Sequence, residues 1–364
     1  MSGNLGKDKM ENGAVCSAET ATGGEDVYSC KEPDAFSVDH LVVMVHGILG
    51  SASDWKFGAE QFIKKLPDRV YVHCSEKNMS LTLDGVDVMG ERLADEVLEV
   101  IERKSGLKKI SFVAHSVGGL VARYAIGKLY KPTSRISEEE ISSGNVCNDE
   151  SKGTIADLQP INFITVATPH LGSRGNKQVP FLFGVTALER VAGRVIHLIF
   201  RRTGQHLFLT DNDDEKPPLL RRMIDDNSEY PFMSALQAFT RRVVYSNVDY
   251  DHIVGWRTSS IRRNNELPKW EDSIDEKYPH IVYEEWCKVS EVKQCESTTE
   301  NDGLDELEEE LVNGLSRVAW EKVDVSFHKS LVRFAAHSVI QVKDNHMHSE
   351  GADVIQHMID HFLL

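Results

Sequence analysis

The chain has 364 residues, 41% of them hydrophobic, and it carries 41 basic and 57 acidic residues, which gives a formal net charge of −16. This length suits one large domain or two ordinary ones, with enough apolar residues for a sizeable core. The negative charge repels phosphate backbones, so nucleic acid is not an expected partner. Most of the excess acid lies in three stretches, residues 1–36, 137–152 and 301–310.

The six cysteines are widely spaced and never form a CxxC pair, and no apolar leader opens the sequence. These features predict reduced thiols in a cytoplasmic protein. No apolar run is long enough to span a bilayer. Residues 1–36 are rich in small, polar and acidic residues, which predicts a disordered acidic tail before a single domain at residues 37–364.

From residue 41 onward, short apolar runs alternate with helical stretches. Six runs are predicted to be strands: Leu41–Val45, Val70–His73, Ile110–Ala114, Phe163–Ala167, Val243–Tyr245 and Val323–Phe327. Helices are predicted at about residues 84–103, directly after Ser116, and from Ala352 to Phe362. This alternation predicts the α/β class, with a mostly parallel central sheet and helices on both of its faces.

Two connections are too long for simple links between strands. We predict a lid insertion at about residues 173–240 and a long connection at about residues 256–319, which includes an exposed acidic helix near residues 304–311. Within the insertion, segment 180–202 is predicted to form an amphipathic helix, with its arginines on one side and its aliphatic residues on the other. It either packs over the site as a lid or lies on a membrane surface, which would place the protein peripherally on membranes or lipid droplets.

The most informative segment is Ala114-His115-Ser116-Val117-Gly118-Gly119, which follows an apolar run and precedes a helical pattern. A serine hydroxyl is a weak nucleophile, so enzymes hold it on a sharp turn between strand and helix, where a base can reach it. Small residues two positions before and after the serine prevent backbone collisions. Ala114 and Gly118 meet this requirement, although a glycine is more usual at the first position. Ser116 is therefore the predicted nucleophile.

A second motif, His46-Gly47-Ile48-Leu49-Gly50, ends the first predicted strand. Hydrolases with such an elbow bind the oxyanion with one N–H from this loop and one from the residue after the serine. We therefore predict that the N–H groups of Ile48 and Val117 form the oxyanion hole. The candidate substrate-contacting residues are His46, Gly47, His115 and Leu171, although His46 is expected mainly to brace its loop, and His170 to anchor another.

The acid and the base should follow later strands, in the order serine, acid, histidine. Asp251 is the predicted acid, because the apolar residues after it would fix the direction of its carboxylate, and Asp249 is the alternative. His337 is the predicted base, because small and apolar neighbours would keep its imidazole neutral, and His328 is the alternative. The predicted reaction is acyl transfer through Ser116, with water releasing the acyl group.

No cofactor or metal is expected. The pairs His346 with His348 and His357 with His361 have ligand-like spacings, but no third ligand is evident, so we predict that both pairs lie on solvated faces.

Four motifs together resemble a known family: Val45-His46-Gly47-Ile48-Leu49-Gly50, Ala114-His115-Ser116-Val117-Gly118-Gly119, Thr168-Pro169-His170-Leu171-Gly172 and Phe334-Ala335-Ala336-His337. Over about residues 39–364, the chain is similar to the lipase-like serine esterases of the α/β-hydrolase superfamily. This resemblance implies ester hydrolysis on lipid substrates, with Ser116 and His337 at the matching catalytic positions and Asp251 where the family's acid is expected.

Two other classes of function remain open at this point. A thioesterase or acyltransferase would use the same residues, and a catalytically silent hydrolase fold could serve as a ligand receptor or scaffold. The sequence predicts neither the acyl chain, nor the headgroup of the substrate, nor the oligomeric state.

Overall fold

The structure is a computed structural model, and it describes residues 38–133, 153–173, 200–213, 215–287 and 306–364. The strands in these ranges are β1 (His40–Val45), β2 (Val70–Cys74), β3 (Lys109–His115), β4 (Tyr130–Lys131), β5 (Thr154–Ile155), β6 (Gln159–Val166), β7 (Arg241–Asn247), β8 (Ile281–Cys287) and β9 (Trp320–Val325).

The helices are α1 (Lys56–Lys65), α2 (Val86–Arg103), α3 (Val117–Leu129), α4 (residues 200–207), α5 (Leu219–Arg222), α6 (Phe232–Ala238), α7 (Trp256–Ser260), α8 (Glu306–Leu315), α9 (Ala336–Val339) and α10 (Ala352–Asp360). The helix predicted at 84–103, the helix directly after Ser116 and the last helix are all present. None of the helices in the described ranges is both long and apolar enough to cross a membrane.

Seven strands form one sheet in the order β2-β1-β3-β6-β7-β9-β8, and all are parallel except β8, which runs antiparallel to β9. The remaining two strands, β4 and β5, form a short antiparallel pair. The predicted α/β class with a mostly parallel central sheet is therefore confirmed.

Each strand sends alternate side chains to opposite faces of the sheet, and helices cover both faces. In β1, Leu41 and Val43 pack with residues of α2 and α3, whereas Val42 and Met44 pack with residues of α1 and α10. This explains why the strands read as continuous apolar runs, while the amphipathic α2 buries only one of its faces.

The connection at 256–319 contains a strand that the sequence analysis missed. In β8, glutamates and bulky apolar residues are mixed, and the strand covers the edge of β9. Arg262 is buried and bonds both to Asp324 of β9 (2.7 Å) and to Glu285 of β8 (2.8 Å). This guanidinium therefore joins the edge strand to the sheet.

The acidic helix predicted near residues 304–311 is not simply exposed. Leu311, Val312 and Leu315 of α8 are buried in the core, and Glu308 forms a buried ion pair with Arg257 (2.7 Å). The prediction was wrong because the apolar stripe continues beyond Leu311, and because a buried cation compensates one of the acids.

Only the later part of the predicted lid insertion, from residue 200 onward, lies mainly within the described residues. Residues 174–199, which include most of segment 180–202, lie outside the described residues. From Leu219 to Leu236, however, the apolar side chains of α5 and α6 belong to the main core, and Phe232 packs against Gly127 of α3. This later part of the predicted insertion therefore belongs to the core of the domain. Burying these apolar side chains against α3 stabilises the fold.

Parallel strands place their carboxyl ends at one edge of a sheet. The turn after β1, the turn after β3, the loop after β7 and the segment after β9 therefore meet at this edge. Each of the predicted site residues Ile48, Ser116, Asp251 and His337 lies in one of these four connections.

Candidate active site

Ser116 lies on a sharp turn between β3 and α3. Its backbone has φ 54° and ψ −134°, a conformation that non-glycine residues rarely adopt and that costs about 1–3 kcal/mol. The Ser116 N–H donates to the carbonyl of Val166 (2.9 Å), so strand β6 supports the turn. Strand, strained turn and helix together have the geometry of a nucleophile elbow.

Two glycines allow the elbow to lie against the turn after β1. A Cβ atom on Gly118 would lie 2.5 Å from the carbonyl oxygen of His46, and one on Gly47 would lie 2.8 Å from Cβ of Ser116. Neither distance is tolerated between non-bonded atoms. The small residue predicted at position 118 is therefore required by this contact between the two turns.

His337 is the second residue of α9, and its imidazole contacts both other members of the predicted triad. The Ser116 hydroxyl donates to Nε2 of His337 (3.0 Å). On the other side of the ring, Nδ1–H donates to Oδ2 of Asp251 (2.9 Å). Because the carboxylate fixes the proton on Nδ1, the lone pair of Nε2 faces the serine.

Asp251 lies in the loop after β7, and four groups hold its buried carboxylate. Oδ1 accepts from the N–H groups of Ile253 (3.0 Å) and Val254 (2.8 Å), and Oδ2 accepts from Asn247 Nδ2 (2.9 Å) as well as from His337. Burial alone would raise the pKa of Asp251, but the charge of His337 and these hydrogen bonds together hold the pKa below its usual value. The carboxylate is therefore ionised at neutral pH.

The backbone N–H groups of Ile48 and Val117 have no hydrogen-bond partner among the residues that the structure describes. Val117 is the first residue of α3, where an N–H has no acceptor within the helix. These are the two groups that the sequence analysis assigned to the oxyanion hole.

His46 braces the turn that carries Ile48. Its Nδ1–H donates to the carbonyl of Gly47 (3.0 Å), which also accepts from the N–H of Gly50 (3.1 Å). In a trans peptide the C=O and the following N–H point in opposite directions. Holding the oxygen of Gly47 therefore also sets the direction of the Ile48 N–H. Burial lowers the pKa of His46, so its ring stays neutral.

Two candidate substrate-contacting residues do not face a substrate. His115 is buried behind the base, where its Nε2–H donates to the carbonyl of His337 (2.7 Å). Burial, and then the nearby charge of His337, hold the pKa of His115 well below its usual value. Leu171 lies in the hydrophobic core. Both residues belong to the motifs found in the sequence, but their side chains are buried in the protein.

The alternative acid and base lie next to each other, away from Ser116. The hydroxyl of Ser326 lies 3.3 Å from Oδ1 of Asp249 and 3.0 Å from Nδ1 of His328. On its other side, Nε2 of His328 lies 3.1 Å from Oδ1 of Asp272.

The sequence analysis missed two residues that support the site. Asn247, the last residue of β7, holds the carboxylate of Asp251, as described above. Thr168 donates its hydroxyl to the carbonyl of Ser116 (2.8 Å). Thr168 opens the motif Thr168–Gly172, and this motif was the available signal. For Asn247, the signal was an amide directly before the loop that carries the acid.

The ranges that the structure describes contain no group of three or more histidine, cysteine or acidic side chains that could hold a metal ion. His357, predicted on a solvated face, is buried, and its Nδ1 shares a hydrogen bond with the Tyr245 hydroxyl (2.9 Å). His170 is also buried, and its Nε2 shares a hydrogen bond with Oγ1 of Thr165 (2.9 Å).

Among solved structures, the chain is similar to the mature lipase BlEst2 of Bacillus licheniformis, with 17% identity, a TM-score of 0.34, and coverage of 60% of this chain and 68% of that one. It is also similar to the phospholipase PlaB of Legionella pneumophila, with 15% identity, a TM-score of 0.33, and coverage of 58% of this chain and 40% of that one.

Among curated proteins, the chain is 30% identical over 232 residues to the protein named putative lipase C4A8.10 of Schizosaccharomyces pombe. It is 31% identical over 227 residues to the protein named putative lipase ROG1 of Saccharomyces cerevisiae. Each alignment covers 61% of this chain, but only 26% and 28% of the two yeast proteins. The similar region is thus about a quarter of those longer chains.

The chain also matches a protein family. Residues 36–261 match the family described as putative serine esterase (DUF676), a range that includes the turn after β1, the elbow, the Thr168–Gly172 motif and the loop of Asp251. Because this match covers more than half of the sequence, the chain belongs to the putative serine esterase family.

Proposed function

We propose that the protein is a serine hydrolase that cleaves carboxylic esters of lipids, with Ser116, His337 and Asp251 as its catalytic triad. One observation carries this proposal: two consecutive hydrogen bonds, of 3.0 and 2.9 Å, join the hydroxyl of a serine on a strained elbow to an imidazole and then to a carboxylate. Family membership supports the same class of reaction.

In the first half of the proposed reaction, Oγ of Ser116 attacks the ester carbonyl and its proton moves to Nε2 of His337. The ionised carboxylate of Asp251 stabilises the imidazolium that forms. The carbonyl π electrons move to oxygen, and the N–H groups of Ile48 and Val117 bind the resulting oxyanion. His337 then donates its proton to the leaving alkoxide, and an acyl-serine ester remains.

In the second half, water takes the place of the alcohol. His337 accepts a proton from water as the water oxygen attacks the acyl carbonyl, and the same N–H groups bind the second oxyanion. Collapse of this intermediate expels Oγ of Ser116, which recovers its proton from His337, and the carboxylic acid leaves. These residues supply every group that the two steps require.

Lipid esters are the proposed substrates because exposed apolar side chains occur on two of the segments that form the site. Leu49, next to Ile48, is 70% exposed, and Leu331 and Phe334, which lie between β9 and His337, are 96% and 65% exposed. Such side chains favour contact with an apolar substrate over a small polar one. The names of the yeast relatives agree with this substrate class.

The experiment that tests the proposal combines labelling with a substrate panel. We expect a fluorophosphonate probe to label the wild type and not Ser116→Ala. Wild type should hydrolyse p-nitrophenyl, monoacylglycerol and phospholipid esters, and Ser116→Ala should not, with an unchanged circular dichroism spectrum. An unlabelled wild type would favour a silent receptor, whereas labelling with turnover of thioesters alone would favour a thioesterase.

A further inference from the structure

A buried series of hydrogen bonds joins the turn of Ile48 to helix α4. It runs through the segment between β2 and α2, and through two threonines that are 121 residues apart in sequence, Thr82 and Thr203. Both threonines are almost fully buried. Neither belongs to a motif found in the sequence, and neither has a role in the reaction proposed above.

On the side of the turn, one hydroxyl group holds the residue that follows Ile48. The N–H of Leu49 donates to Oγ1 of Thr82 (2.9 Å). Leu49 has a φ of 52°, and its side chain is mostly exposed, so packing contributes little to holding this residue in place. The hydrogen bond to Thr82 is therefore a direct restraint on the peptide between Ile48 and Leu49.

A small cavity beside the turn makes this restraint more important. Its walls include Ile48, Val117, Gly118 and Thr82, so it lies beside both proposed oxyanion donors. Atoms that line a void lack packing contacts on that side. The turn could shift into this space if its hydrogen bond to Thr82 were lost.

On the side of α4, Thr203 completes the series. Its hydroxyl donates to the carbonyl of Thr82 (2.9 Å) and accepts from the N–H of Gly85 (3.0 Å). Further along the helix, Nδ1 of His206 accepts from the N–H of Val86, the first residue of α2 (3.0 Å). The helix is thus fixed on the segment that carries Thr82.

Helix α4 also touches the turn directly. The first described residue of this helix, Phe200, is buried and packs against Ile48, together with Leu83 and Phe208. Ile48, which supplies one of the proposed oxyanion donors, therefore contacts α4 directly through its side chain. The turn of Ile48 is also linked to α4 indirectly, through Thr82.

We propose that Thr82 and Thr203 are positioning residues, which keep the turn at residues 47–50 in the orientation that aims the Ile48 N–H at the oxyanion. This inference rests on the proposed function. It assigns to α4 a part in building the oxyanion hole, although no atom of Thr82 or Thr203 needs to touch the substrate.

The test compares valine and serine variants, since valine keeps the shape of threonine without its hydroxyl. Losing one oxyanion donor costs about 10²–10³ in kcat, so a misdirected donor in Thr82→Val or Thr203→Val should lower kcat about tenfold or more. KM for p-nitrophenyl butyrate should stay within about twofold, because the lost interaction acts mainly in the transition state. Thr82→Ser and Thr203→Ser should keep most of the wild-type kcat.

A second readout separates positioning from general stability. A trifluoromethyl ketone binds Ser116 as an oxyanion mimic, so its inhibition constant should rise by the same factor as kcat falls. The matched control is Ser111→Ala, which removes a buried hydroxyl bonded to His40 and Asn162 near the opposite end of β3. We expect this control to lower the melting temperature and to leave kcat unchanged.

The outcomes are distinguishable. A wild-type kcat in folded Thr82→Val and Thr203→Val would overturn the positioning role alone, as would an equal loss of kcat in Ser111→Ala. A wild type without esterase activity would overturn both this inference and the proposed function. If Thr82→Val does not fold, Thr203→Val and Thr82→Ser decide. The first should still lower kcat, because it frees the segment that carries Thr82, and the second should not.

Discussion

Two groups of serine, histidine and aspartate lie at the carboxyl edge of the sheet, and they differ in their surroundings. The first is Ser116 with His337 and Asp251, joined by bonds of 3.0 and 2.9 Å. The second is Ser326 with His328 and Asp272, joined by contacts of 3.0 and 3.1 Å, with Asp249 beside the serine.

Distances alone do not separate the two groups, but their surroundings do. Ser116 lies on a strained elbow, near the N–H groups of Ile48 and Val117, which have no partner in the described part of the chain. Four donors hold the aspartate in a buried site. In the second group, His328 and Asp272 are substantially exposed, and Lys329 also binds Asp272. Burial of the aspartate, backbone strain at the serine and nearby unpaired N–H groups thus distinguish the proposed triad from the second group.

The largest expected difference concerns the two histidines. His337→Gln should lower kcat by about 10⁶, because loss of the base in other serine hydrolases has an effect of that order. His328→Gln removes contacts with Ser326 and Asp272 and none with Ser116, so its kcat should equal that of wild type. The measurement is ester hydrolysis by purified variants with matched circular dichroism spectra. If His328→Gln is the inactive variant, the second group contains the base and the comparison fails.

A smaller difference is expected for the two aspartates. Asp251→Asn should lower kcat by about 10⁴, because the amide no longer fixes the proton of His337 on Nδ1. Asp249→Asn should leave kcat close to wild type, since Asp249 has no bond to His337 in the structure. Steady-state kinetics on both variants checks this. Comparable losses in the two variants would show that the two groups act together.

The smallest expected effect is on stability, and it should have opposite signs for the two aspartates. The pKa of Asp251 is held below its usual value, so the ionised carboxylate stabilises the folded state at pH values above the unfolded pKa of about 4. This contribution is lost as the pH falls through the folded pKa. Burial raises the pKa of Asp249, so ionisation of this carboxyl disfavours the folded state as the pH rises above about 4.

Thermal melts at pH 7 and near pH 3 measure this difference. At pH 7, Asp251→Asn should be less stable than wild type by about 1–3 kcal/mol, because its amide leaves buried donors unpaired. Asp249→Asn should be as stable as wild type or more so. Both differences should shrink at the lower pH. A melting temperature that falls more for Asp249→Asn than for Asp251→Asn at pH 7 would contradict the assigned environments.

Local patterns were enough to predict the fold and the elbow. Most residues of the parallel strands are buried, so the strands appear in the sequence as apolar runs. The small residue at position 118 reflects the close contact of Gly118 with the carbonyl of His46. The chain order of serine, acid and histidine, together with apolar flanks, indicated Asp251 and His337, the two residues that the structure brings to Ser116.

The rest depends on contacts between distant parts of the chain. The role of His115 is visible only when β3 and α9 are brought together, and the bond between Thr203 and Thr82 crosses 121 residues. Strand β8 was missed because an edge strand with one exposed side mixes glutamates with apolar residues and lacks a continuous apolar run. The buried face of α8 likewise depends on Arg257, a partner from another element.

The backbone of Ser116 has a practical consequence for engineering. Its φ and ψ values suit glycine, so Ser116→Gly would relieve local strain, and selection for thermostability alone would favour losing the hydroxyl. A screen that ranks variants only by melting temperature would therefore drift toward inert proteins. A search for more heat-stable variants should therefore keep Ser116 unchanged and measure the proposed esterase activity alongside stability.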